Sequence, residues 1–393
     1  MVDFHLSDEQ RARQAAAREF ATQHIAPAAA WIDQDHTFPW ALVEAGVRAG
    51  WSTMLIPAAY GGRGFDHVSA GLVLEELGAA CSGVATIFGA SILGTAPIVL
   101  LGREDQKLRL LRQIADDASG RFLCAFAVTE ASAGSASGSG DPRFGIQTHA
   151  RRQGDDYVLS GSKRFISNGS VARRYTVLAR THPTKPAMGG LSFFVVDADA
   201  GVVVGRQEDK MGQRACPATE LHFDGVPAAA DDLLGREGLG SIGLMQAISF
   251  STPLVAAICV GVARAAFELA LAHARSATPP AIDEQAVAMR LVDMATAVEA
   301  ARALTWRVLW GNDQRMDRIS GRLRGTPNLK LAAMAKVLAS DTCMRVAHEA
   351  IEIIGPVALV ENHPAGKLLR DAKLMAIFEG TNQIHRIGAA RLL

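Results

Sequence analysis

The sequence predicts an α+β protein built as helices, then a sheet, then helices, and three observations carry that order. Residues 1–121 read as helical segments opened by capping and proline signals. Residues 122–236 break into short runs of β-branched and aromatic residues separated by glycine and polar turns. Residues 237–393 return to long segments with apolar residues at helical spacing. At 393 residues the chain exceeds the usual size of a single core, so these three stretches are expected to be separate domains.

In the first stretch, Ser7 with Gln10 forms a capping-box pattern ahead of an alanine-rich, charge-laced segment from Arg11 to His24, and Pro27 interrupts it. A second helix runs from Pro39, a good first-turn residue, toward Gly50. The cluster Pro57-Ala-Ala-Tyr-Gly-Gly-Arg-Gly64 is a turn by its glycines, and Val68–Ala80 and Glu104–Asp116 complete the helical part. Strands are expected at Phe122–Val128, Tyr157–Leu159, Tyr175–Ala179, Leu191–Val196, Val202–Val204 and Glu220–Phe223, giving a small antiparallel sheet or barrel. Ser132–Gly145 is a Gly/Ser loop. The last part holds helices at Pro253–Arg275, Glu284–Trp310 and Asn328–Ile354, a bundle expected to pack on itself and on another subunit.

Composition narrows the function classes. Hydrophobic residues make up 49% of the chain, which supports a well-buried globular protein, and 40 Lys plus Arg balance 40 Asp plus Glu. No global field therefore favours nucleic acid or an anionic membrane. The five cysteines, Cys81, Cys124, Cys216, Cys259 and Cys343, lack metal-ligand spacing and read as reduced core residues. His24, His273 and His348 lack the paired spacing of a metal site, so no metal is expected. Residues 1–10 lack an export pattern, and the most apolar run, Pro253–Ala263, is too short to span a bilayer. A cytoplasmic protein with no membrane insertion is the expectation.

One stretch concentrates the chemistry: Met375-Ala-Ile-Phe-Glu-Gly-Thr-Asn-Gln-Ile-His-Arg386. It sets a single acid, Glu379, between an apolar run and a glycine. Loss of solvation there raises a carboxyl's pKa and improves it as a base, while Gly380 lets the backbone turn close to a ligand. Read alone, Glu379 is equally an ordinary surface or helix-capping acid.

Residues Phe378–Arg386 resemble the C-terminal signature of the acyl-CoA dehydrogenase family. Leu123-Cys-Ala-Phe-Ala-Val-Thr-Glu-Ala-Ser-Ala-Gly-Ser135 resembles its flavin-binding segment, and Gly161-Ser-Lys-Arg-Phe-Ile-Ser-Asn-Gly169 the strand along the flavin ring. The resemblance implies that family's architecture: an N-terminal helical domain, a central β domain and a C-terminal four-helix bundle. It also implies FAD-dependent α,β-dehydrogenation of an acyl thioester carried by coenzyme A or an acyl carrier protein. Glu379 would take the α-proton and flavin N5 the β-hydride. Phe126, Val128 and Thr129 would line the flavin, with Ser135 near its pyrophosphate. Phe165 would pack on the ring and Ser167 face N5, while Thr381 and Gln383 would bond the phosphate and adenine end. A homodimer or homotetramer passing electrons to an electron-transfer flavoprotein is implied as well. Taken singly, Val128 and Phe165 also read as sheet core, and Thr129 and Ser167 as strand-pairing hydroxyls. His385 and Glu130 read as structural.

The chain departs from the family pattern around the ADP half of the cofactor. Ala277 falls where an arginine is expected, leaving Arg275 as a substitute, and Glu352 and Pro356 interrupt a glycine-rich motif. Thr252 replaces another arginine, and Ser251 stands where some relatives place their base. The alternative is a family-fold protein without flavin that performs redox-neutral acyl chemistry or serves as a structural subunit.

Overall fold

The computed structural model describes residues 5–135, 137–325 and 328–393. Helix α1 (Asp8–Phe20) starts at the expected capping box: the Ser7 hydroxyl accepts from Gln10 N, and the Gln10 amide accepts from Ser7 N. The chain stays helical past Pro27, because the proline occupies a first-turn position where no donor is needed. Then come α2 (Ala29–Asp35), α3 (Trp40–Arg48), α4 (His67–Ala80), α5 (Ser82–Leu101) and α6 (Glu104–Ala115). Helix α5 has no counterpart in the sequence reading. It is buried on almost every side, so it lacks the amphipathic period by which a surface helix is recognised.

The middle of the chain forms a sheet of β1 (Cys124–Ala127), β2 (His149–Gln153), β3 (Asp156–Ser167), β4 (Arg174–Arg180), β5 (Leu191–Asp197), β6 (Val203–Gln207), β7 (Ala218–Ala228) and β8 (Leu233–Leu234). The strand order is β6-β7-β3-β2-β4-β5-β8, with β1 added beside β4. The expectation of an antiparallel sheet is corrected at β4: β1 runs parallel to it, pairing Cys124 with Arg174 and Ala127 with Val177, and β2 meets it in parallel at His149 and Arg180. Strand β2, His-Ala-Arg-Arg-Gln, was not expected, since its only apolar side chain is Ala150. It is held by pairing to β3 along its whole length. A single helical turn, α7 (Ala187–Gly190), precedes β5.

The chain then enters α8 (Gly240–Ser276), which begins well before the expected start at Pro253. The proline lies inside the helix, and the carbonyl its missing N–H would have bonded, that of Ser249, accepts from Asn312 Nδ2 at 3.2 Å. Helices α9 (Gln285–Asp313), α10 (Leu329–Ile354), α11 (Pro364–Met375) and α12 (Asn382–Ala390) follow. One continuous core joins α1, α3, α4 and α5 to α8, α9, α10 and α11, so the first and last helical stretches bury each other. The sheet has separate cores, one shared with α5 and α6.

Helices α5 and α8 are long and apolar enough to cross a membrane by length and composition, but 78% and 67% of their most apolar windows are buried within the protein. They are core helices. Helix α5 is the hinge of the arrangement. Gly94 packs so tightly on β1 that a Cβ there would meet Ala125 N at 2.7 Å, while Gly89 faces Ile258 and Leu101 faces Gly243 on an antiparallel α8. The sheet, α5 and α8 are thereby stacked in that order.

Candidate functional site

Glu379 sits in the turn between α11 and α12, with φ of 55° there and 92° at Gly380. Two successive left-handed residues cost about 1–2 kcal/mol at the non-glycine position, and the surroundings hold them in place. Lys336 of α10 donates to Gly380 O at 2.8 Å and to Asn382 Oδ1 at 2.9 Å, Asn382 N donates to Ala376 O at 3.0 Å, and His385 Nε2 bonds Glu379 O at 3.0 Å. Because a carbonyl only accepts, Nε2 carries the proton in this arrangement. A Cβ on residue 380 would meet that ring nitrogen at 3.0 Å, so glycine is required twice over. His385 is therefore structural, as expected.

The Glu379 side chain turns toward α8, where the Ser251 hydroxyl donates to Oε1. Desolvation pushes its carboxyl up to about 7, against the opposing pull of the Ser251 hydrogen bond and the Lys336 charge. Burial likewise brings the Lys336 ammonium down to about 8. A raised carboxyl is the direction that the setting of Glu379 between apolar run and glycine suggested. Its contact with Ser251, dismissed on sequence as unable to serve as a base, was not anticipated. Ser251 lies more than a hundred residues earlier, and no local pattern joins them.

The residues expected to line a flavin gather at the edge of the sheet against α5. Val128 is buried just past β1, and Thr129 beside it is half-buried. Its carbonyl accepts from Arg164 N at 2.8 Å, which brings the end of β1 against β3 where the β3–β7 register shifts between Lys163 and Ile166. That irregularity turns Phe165 outward: its φ is 59° and its side chain is 53% exposed, with the Arg164 guanidinium 4.9 Å from the ring centre. The sheet-core alternative for Phe165 is thereby ruled out, whereas Val128 is indeed in a sheet core. Ser167 is half-buried two residues further along β3, and Asn168 Nδ2 donates to Ile87 O at 2.8 Å, fixing this edge to α5. Phe126 is half-buried against Phe193, with ring centres 5.6 Å apart.

Beneath this edge lies a buried ion pair. Lys163, fully buried, donates to Glu130 Oε1 at 2.8 Å, Val128 O at 3.0 Å and Leu178 O at 2.7 Å. Burial opposes the charge on Glu130, but Lys163 and the N–H groups of Gln147 and Thr148 outweigh it and hold the carboxyl below its usual range. Glu130 is the structural partner the sequence suggested.

The two groups of residues are linked through Gln213. On α5, Gly89, Ala90 and Leu93 are half-buried within an otherwise buried stretch, and they share one face. Gln213 ties that helix to α11: Thr86 Oγ1 donates to its Oε1 at 3.4 Å, and its Nε2 lies 3.3 Å from Met375 Sδ. The Thr129–Ser167 edge packs on α5, and α5 is linked through Gln213 to Met375, four residues before Glu379.

Other expected residues are placed differently. Thr381 is the N-cap of α12, its hydroxyl accepting from Ile384 N at 3.3 Å, while Gln383 projects exposed from the first turn. Ser135 is exposed in a turn next to Ala136, which lies outside the described residues. Ala277 is the C-cap of α8, and Arg275 one turn earlier is exposed. Glu352 and Pro356 are exposed, and Thr252 Oγ1 is buried without a partner. The residues present suit the flat ring half of a flavin, with an outward aromatic and two half-buried hydroxyls at a strand irregularity. For an ADP half, Ser135, Arg275 and Gln383 are exposed and Thr381 is half-buried.

Models of the acyl-CoA dehydrogenase N-terminal, middle and C-terminal domains match residues 7–118, 125–226 and 238–393. A cyclohex-1-ene-1-carbonyl-CoA dehydrogenase of Geobacter metallireducens is 36% identical over 395 residues, covering 99% of each chain. The structure of butyryl-CoA dehydrogenase from Megasphaera elsdenii aligns over 100% of both chains with a TM-score of 0.91 at 33% identity. A prolyl acyl carrier protein oxidase aligns over 99% of both with a TM-score of 0.89 at 26% identity.

Proposed function

The chain belongs to the acyl-CoA dehydrogenase family, and we propose that it is an FAD-dependent dehydrogenase that introduces an α,β double bond into an acyl thioester. The observation that carries this reading is Glu379: one carboxyl raised to about 7, held by a hydrogen-bonded turn just past Met375, which Gln213 links to the helix that carries the sheet edge. A proton α to a thioester needs a base near neutrality, and no side chain accepts hydride. When bound, FAD supplies the acceptor for the β-hydride. Glu379 takes the α-proton, so that the electrons of the α C–H bond form the new π bond as the β C–H bond breaks.

Coenzyme A is the proposed carrier, because similarity to acyl-CoA dehydrogenases is greater than to the carrier-protein oxidase. A saturated cyclic carboxyl thioester, as named for a 36% identical relative, is the first substrate to try. Electrons pass on to an electron-transfer flavoprotein. The protein assembles as a homodimer or homotetramer: Met289, Val292 and Met334 on α9 and α10 are 63%, 63% and 43% exposed, an apolar surface suited to a second copy. Arg275, exposed at the end of α8, would serve the cofactor of that copy. The residues of the three stretches 1–121, 122–236 and 237–393 would act as the corresponding domains.

The competing reading, a flavin-free protein with redox-neutral acyl chemistry, rests on Ala277, Glu352 and Pro356. Glu352 and Pro356 are exposed in the single chain, where a second copy of the proposed oligomer could meet them. Cofactor content separates the two. The protein incubated with FAD and passed through gel filtration is expected to stay yellow, with a higher Tm than before. A colourless eluate with unchanged Tm would favour the flavin-free reading.

A further inference from the structure

The carboxyl of Glu379 has one hydrogen-bond partner among the described residues, and that partner has a second obligation. Ser251 Oγ lies 2.9 Å from Ala247 O, one helical turn back on α8, as well as against Glu379 Oε1. A hydroxyl carries one proton and two lone pairs. When Glu379 is ionised, that proton belongs to the carboxylate. When Glu379 is protonated, its own O–H can donate to Ser251 Oγ, and the serine proton turns to Ala247 O. In both states the buried hydroxyl stays satisfied and the carboxyl stays tethered at Oε1.

The other polar groups near the carboxyl do not do this. Lys336 on α10 spends its hydrogen bonds on Gly380 O, on the turn, and on Asn382 Oδ1. His385 on α12 bonds the Glu379 backbone carbonyl. Cys259 on α8 and Asp341 on α10 act on Lys336. The neighbouring Thr252 hydroxyl is buried without any partner. Oε2 has no hydrogen-bond partner among the described residues and is the oxygen left for the substrate proton.

We propose that Ser251 is a positioning residue for the reaction, its hydroxyl reversing direction with the protonation state of Glu379 so that the base keeps one geometry before and after proton transfer. This rests on the reading of Glu379 as the base. A serine or threonine at position 251 can play the part. An alanine cannot.

The test begins without cofactor or substrate. In protein labelled with carbon-13 at the glutamate carboxyls, the Glu379 resonance is identified by its loss in Glu379→Gln and followed through a pH titration. A hydrogen bond to a charged acceptor is roughly twice as strong as one between neutral groups, so Ser251→Ala is expected to raise the midpoint by about one pH unit. Ser251→Thr should keep the wild-type midpoint. With FAD bound, the pH profile of acyl-CoA-driven flavin reduction should move by the same amount in Ser251→Ala and stay in place in Ser251→Thr. Ser251→Cys, a weak donor, gives a second reading if the alanine variant loses structure. An unmoved Glu379 midpoint in a Ser251→Ala protein of unchanged Tm would overturn the proposal. The midpoint judges the Ser251 contact alone, whereas wild-type turnover by Glu379→Gln would overturn the base reading and the positioning role with it.

Discussion

Glu379→Gln is expected to lower turnover by roughly 10²–10⁴-fold while leaving the protein folded, because general-base catalysis contributes about that factor and glutamine cannot accept the proton. The same substitution should stabilise the protein above neutral pH. The folded-state value of about 7 lies above the ordinary 4.5 of a glutamate. The favourable contribution is therefore fully present below about pH 4.5 and is lost as pH rises through 7. Glutamine carries no charge to bury, so it escapes that loss. At pH 5 the two proteins should have similar Tm values, and at pH 8 the variant should be more stable by about 2 kcal/mol, a figure reduced for the solvent the half-buried residue retains. Equal stability at both pH values would show that the carboxyl is not desolvated. Activity near wild type would remove it from the catalytic role.

Lys163→Met is expected to destabilise the fold by about 3–5 kcal/mol, because it leaves the Glu130 carboxylate buried without its cation. Three hydrogen bonds go with it, including the one to Val128 O that pins the segment leading to Thr129. The variant should therefore also lose FAD more readily in gel filtration than wild type. Adding Glu130→Leu removes the uncompensated charge and should restore part of the stability without restoring the pin on Val128. Urea unfolding of the three proteins is the measurement. A single variant within about 1 kcal/mol of wild type would mean that water or local rearrangement satisfies Glu130.

What could be read in advance followed from how local the signal was. The capping box at Ser7 and Gln10, the proline before α3 and the β-branched runs of β4 and β5 are written in adjacent residues, and each element formed as read. Helix α5 escaped because burial on all sides erases the period of 3.6, and β2 because its ladder to β3, not its own composition, makes it a strand. The early start of α8 was hidden by Pro253, whose missing hydrogen bond is replaced by Asn312, sixty residues away. At the site, Glu379 was legible from its setting and its family signature. The groups that hold it, Lys336 and Ser251, lie on other helices, and their approach is a property of packing. Thr381, expected near a ligand, caps α12 by accepting from Ile384 N, which leaves its hydroxyl proton to donate.

The most direct measurement is the visible spectrum of the FAD-loaded protein during anaerobic addition of cyclohexane-1-carbonyl-CoA, the saturated ring thioester named for a 36% identical relative, with butyryl-CoA alongside. The proposed dehydrogenase loses the yellow colour of bound oxidised flavin with at least one of the thioesters, and the Glu379→Gln protein stays yellow with both. A wild-type protein that holds FAD and stays yellow with both thioesters, or a Glu379→Gln protein that bleaches as fast as wild type, would contradict proton abstraction by Glu379 as the first act of this site.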